Sequence, residues 1–207
     1  MVNAAKSFAH FVIQDAMNEY GKSIYSACGY LDDRMVTDLT FTTGTCCCFM
    51  GDLDLDLDED VIKIFLIAAL AMGVFMGVIC TVRSLFLFGV YEIKKQIAAY
   101  RSTRTIGADH IEIYQNAQIV LIELRNRRLG KAFSEGILTI GTGVLCVALI
   151  IAYVIEPQVY MVGIGAIGGI LICGGGVFYA FQSSRSPSDR FKMALSELIF
   201  RDKIKIS

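Results

Sequence analysis

The sequence predicts an all-α membrane protein with about three transmembrane helices: one long helix, then a C-terminal helical hairpin, with amphipathic helices flanking them. Three observations carry that prediction. Hydrophobic residues make up 55% of the 207 and charged residues only 19%, and mean hydropathy is +0.55, more apolar than a soluble core requires. Three stretches, 64–82, 136–155 and 159–181, are almost continuously apolar at the length a bilayer demands. Shorter segments around them repeat apolar residues at helical spacing with charges between.

Residues 1–60 read as an extramembrane N-terminal segment. Its first part, 3–20, places Ala5, Phe8, Phe11, Val12, Ala16 and Tyr20 at roughly helical spacing, which predicts an amphipathic helix packed on the rest of the protein or lying on a membrane surface. A basic n-region followed by an apolar stretch is missing there, so the first span is expected to direct insertion itself. A Gly- and Thr-containing loop with a β-prone patch at 36–43 follows, then an acidic run.

Residues 61–91 form the first transmembrane helix with an extension. Its 31 residues would reach about 46 Å as a helix, against a hydrocarbon core of about 30 Å, so the helix should project beyond the membrane with Arg83 at the interface. Residues 92–135 are a basic cytoplasmic helical segment, split by Gly107; within it, 108–129 places Ile113, Ala117, Val120 and Leu124 on one face. Residues 136–182 make a transmembrane hairpin, because only Glu156-Pro157-Gln158 separates its two spans. Residues 183–207 form a cytoplasmic amphipathic tail. There a Ser-rich turn offers N-caps, Phe191, Ala194, Leu195, Leu198 and Ile199 make an apolar stripe, and the flanking Arg190, Lys192, Arg201, Lys203 and Lys205 suit anionic lipid or a partner.

Lys and Arg near the span ends set the expected orientation. Arg83, Lys94, Lys95 and Arg101 follow the first span, whereas acids from Asp52 to Asp60 precede it. Arg125, Arg127, Arg128, Lys131, Arg185, Arg190 and Lys192 flank the hairpin, whose turn has no cation. The expectation is an N-terminus outside and a C-terminus in the cytoplasm.

A net charge of -1 provides no basic field for nucleic acid, so that class of partner is set aside. No catalytic triad, metalloprotease helix or phosphate-binding glycine loop occurs, and the span cores hold no ionisable residue for a proton relay. The chain is therefore expected not to be an enzyme, and no cofactor is expected apart from calcium. For calcium, Asp52, Asp54, Asp56, Asp58 and Asp60 alternate so that a strand would present them on one side; the run lacks the Gly and distal Glu of an EF-hand loop and reads first as a solvated acidic flank of the span, with a cation site or a site for a basic partner as the alternatives. Cys46, Cys47 and Cys48 are open to S-acylation on a cytosolic side, to disulfide pairing on an oxidising side, or to neither.

Small residues stripe the spans. Ala69, Gly73 and Gly77 recur every four residues in the first, and Gly165, Gly169 and Cys173 in the third. Such stripes let helix backbones approach closely in lipid, against each other or against another subunit. The pair of spans in 136–181 is similar to the bilobed hydrophobic domain of chlamydial inclusion membrane proteins, a likeness of hairpin geometry alone. The additional N-terminal span and its acidic flank depart from that pattern, and no function is carried across.

These features predict a non-enzymatic integral membrane subunit or scaffold. It would pack through glycine-rich faces against other membrane subunits or itself, and touch the lipid bilayer or partners through basic amphipathic helices. One alternative is a homo-oligomeric channel lined by Thr139, Thr142 and Ser84 with an acidic entrance. The other is a calcium-responsive membrane regulator.

Overall fold

Five α-helices account for the described residues of the computed structural model, which are 2–20, 59–154 and 159–203. They are α1 (Val2–Tyr20), α2 (Glu59–Arg104), α3 (Ala108–Val154), α4 (Val159–Ser184) and α5 (Asp189–Lys203). The fold is all-helical, and α2, α3 and α4 are each long and apolar enough to cross a membrane.

The boundaries read from composition fall inside continuous elements. Helix α2 runs for 46 residues and α3 for 47, each about 70 Å long at 1.5 Å per residue. The basic stretch 92–135 is thus the end of α2, a short turn and the first part of α3. Gly107 makes that turn with φ +126°, a backbone region favouring glycine. Its carbonyl accepts from the amides of His110 and Ile111, both at 3.2 Å, which starts α3.

The chain forms two compact units, and α2 and α3 each contribute to both. The first, the bundle unit, contains α1, residues 84–129 and α5. Ala5, Ala9, Val12 and Ala16 line the buried face of α1, Tyr91 and Ala98 that of α2, and Phe191, Ala194 and Leu198 that of α5. Helix α3 adds the stripe anticipated from spacing: Ile113, Ala117, Val120 and Leu124 are all buried. Alanines on α1 and α2 let their neighbours close in, while Leu121, Leu124 and Phe191 fill the centre. Helix α5 begins with Ser188 as its N-cap, whose Oγ accepts from the Phe191 amide at 3.3 Å.

One expectation changes here. The apolar stripe of α5 faces the protein interior, because Phe191 and Leu198 are almost wholly buried; it is not laid on lipid. Within the bundle unit, Tyr20 of α1 packs on Phe191 of α5 with ring centroids 4.8 Å apart.

The second, the span unit, contains the described residues 59–83 and 130–184. The most apolar windows of α2, α3 and α4 are only 22%, 33% and 17% buried. Phe65, Phe75, Ile140, Ile170 and Val177 are among the exposed side chains. Such a surface is stable against lipid tails and costly in water. The hydroxyls within it are satisfied locally: Thr81, Thr139 and Thr142 donate to the carbonyls of Gly77, Glu135 and Leu138, four residues back, at 2.7–2.9 Å.

The β-prone patch 36–43, the cysteines Cys46, Cys47 and Cys48, and the aspartates Asp52, Asp54, Asp56 and Asp58 lie outside the described residues. Asp60 falls in the first turn of α2, with only its backbone described.

Candidate functional site

In the bundle unit, charge is concentrated where α1 meets α2 and α3. Glu19, in the last turn of α1, is buried together with Arg128 of α3. The Arg128 Nε donates to Glu19 Oε1 at 2.6 Å, and a terminal guanidinium nitrogen of Arg128 also pairs with that oxygen. Tyr91 donates its hydroxyl to the same oxygen at 3.4 Å, and Glu19 Oε2 is buried with no hydrogen bond among the described residues. One turn earlier on α1, Asp15 accepts from Lys94 at 2.5 Å.

Around this centre the cations cluster with acids or rings. Glu92 accepts from Lys95 at 2.6 Å and from Arg125 at 2.9 Å, and these two cations, Lys95 foremost, hold its carboxyl down to about 2. Arg201 reaches Glu112 at 2.6 Å and Glu197 at 2.8 Å, tying α5 to α3. Arg127 lies over the Tyr20 ring at 4.3 Å and donates to the Arg185 carbonyl at 3.0 Å. Burial pushes the Tyr20 hydroxyl above its usual range, opposed by Arg127. Arg201, one of the tail cations that suggested contact with anionic lipid or a partner, therefore serves to bind the bundle together.

In the span unit, glycines set the closest approaches. Gly73 and Gly77 of α2 are buried against Thr142 and Thr139 of α3; a Cβ at Gly77 would collide with the Thr139 side chain. Ala69 of the same stripe is half-buried. The α3–α4 contact instead uses Gly141 and Gly168, where a Cβ on either would meet the other's carbonyl at 3.0 Å. Gly169 and Cys173 face away from that contact: a Cβ at Gly169 would meet nothing within 4 Å, whereas Gly165 lies at its edge, where a Cβ would touch Leu145 of α3 at 4.0 Å. Cys173 is exposed. Together with Ala166, Ile170 and Gly174, Gly169 and Cys173 line an apolar groove of about 900 Å³.

Spacing in α4 suggested a single stripe, whereas the helix carries two glycine faces, one used internally and one open. Sequence reading also missed the charged members of the α3 stripe. Tyr114, Ala117, Leu121, Leu124, Arg128, Lys131, Glu135, Leu138 and Thr142 alternate three and four residues apart, and all are buried. That register was the available signal for Arg128, Lys131 and Glu135.

The hydroxyls considered as pore lining are covered within the chain. Thr139 and Thr142 cover glycines of α2, and Ser84 is buried. Among the described residues, no group of three His, Cys, Asp or Glu side chains is placed to hold a metal ion. No family model matches the chain, and neither the curated proteins nor the solved structures contain a match to it.

Proposed function

We propose that this chain is a non-enzymatic integral membrane subunit or scaffold whose three apolar helices are embedded in lipid. The observation that carries this reading is the contrast between the glycines of α4. Gly168 is occupied by the chain's own α3, whereas Gly169 opens onto an apolar groove that no side chain of the described residues fills. In lipid, where apolar burial gives helices little drive to associate, such flat open surface favours packing against another transmembrane helix.

The basic residues that flank the spans favour a cytoplasmic location for both ends of the α3–α4 hairpin.

Extraction from the native membrane in mild detergent, followed by sizing and identification of what copurifies, tests the proposal. A particle larger than one chain, with partners or further copies in fixed proportion, is expected. A monomer without partners overturns it.

A further inference from the structure

Helix α2 has a second, outward stripe that its packing within the chain does not use. Phe65, Met72, Ile79, Phe86, Ile93 and Tyr100 stand seven residues apart along one unbroken helix and are 60%, 61%, 44%, 70%, 60% and 57% exposed. The inner face of α2 has the same period: Leu70, Gly77, Ser84, Tyr91 and Ala98 are also seven apart, and all are buried. A seven-residue repeat is the spacing at which a helix keeps one face toward a helical neighbour running alongside it.

Lipid accounts for the exposed residues of the first span and cannot account for the last two. Ile93 lies ten residues beyond Arg83 and Tyr100 seventeen, about 15 Å and 26 Å further along the helix, whereas the interfacial layer is only about 5–8 Å deep. These two side chains stand among Lys94, Lys95, Gln96 and Arg101, in a region where water or protein is the surrounding medium. Gly89, one rung in the adjacent row of the stripe, has open space where a Cβ would be.

We infer that this outward face of α2, from Phe86 to Tyr100, pairs with the same face of a second copy of the chain. Resting on the membrane-subunit reading, the inference names one of its partners. Copies inserted in one membrane share one orientation, so their α2 helices run parallel and symmetry about the membrane normal sets each rung against its own equivalent. Parallel alignment of identical seven-residue rungs is the geometry of a parallel coiled coil, and Gln96 within the stripe would meet its own copy and fix the register, as a single polar rung does in such coils. Phe86, Ile93 and Tyr100, each exposing on the order of 100 Å², make a short interface against the roughly 800 Å² per partner typical of a stable one, and confinement of both copies to one membrane raises their effective concentration and favours the pairing.

The test is photo-crosslinking in intact membranes. The full chain is made with a benzophenone amino acid at Ile93, at Tyr100 or, as a control on another helix of the bundle unit, at Met193, which is 72% exposed. Two differently tagged copies are co-expressed. A product carrying both tags is expected from positions 93 and 100 and not from 193. With the probe at Phe86, the paired substitution Ile93→Glu and Tyr100→Glu should lower its yield at least tenfold. Equal yields from 193 and 93, or no product with both tags, overturn the inference. A product with one tag and a different protein also overturns self-pairing while leaving the subunit reading intact, which falls separately if the native particle is a partner-free monomer.

Discussion

Glu19 accepts a 2.6 Å hydrogen bond from Arg128 although 109 residues separate them in the chain. Both side chains are buried, 4% and 7% exposed, so the pair fastens α1 to α3 in a place that water scarcely reaches. A buried pair of this kind is sensitive to the loss of either member, because the survivor keeps its charge without compensation.

Arg128→Ala should therefore destabilise the bundle unit by about 3–5 kcal/mol. Replacing both residues, Glu19→Leu with Arg128→Leu, should recover much of that loss. Thermal unfolding of the detergent-solubilised protein, followed by circular dichroism, checks the order. A single variant as stable as the parent contradicts the assignment.

Glu92 supplies a pH dependence of defined sign. Lys95 and Arg125 hold its folded carboxyl at about 2, below its ordinary 4.5, so its ionised form favours the folded state. That contribution is complete above pH 4.5 and is lost as pH falls toward 2. The stability gap between the parent and Glu92→Gln should be constant at neutral pH and close over that acid window. A gap that instead opens as pH falls contradicts the arrangement.

The two glycine faces predict opposite behaviour. Gly77→Val places branched atoms where Thr139 stands and should cost about 1–3 kcal/mol by overpacking. Gly169→Val meets open space and should leave the thermal stability of the isolated chain nearly unchanged while reducing the size of the native particle. Unfolding of both variants, with sizing of the second, separates the faces.

Much of the fold was legible in the sequence because lipid and helix period both leave plain patterns. Long apolar runs revealed the spans, and the spacing of Ile113, Ala117, Val120 and Leu124 revealed the buried face of α3. Arg128, Lys131 and Glu135 stayed hidden because a charge is ordinarily read as solvated, even though each falls in the same three-four register. The partner of α1 was not legible either. Its packing against α5 is a contact between the two ends of the chain, and no local pattern encodes which distant face an amphipathic helix will cover. In α4, glycines are so frequent that spacing alone could not separate the face closed by Gly141 from the face left open.

The lipid embedding of α2, α3 and α4 is the central claim, argued from three helices long and apolar enough to cross a membrane whose large apolar side chains stay exposed. Alkaline carbonate extraction of native membranes measures it directly. The account predicts that the protein stays in the membrane pellet; release into the supernatant, folded and without detergent, would contradict it.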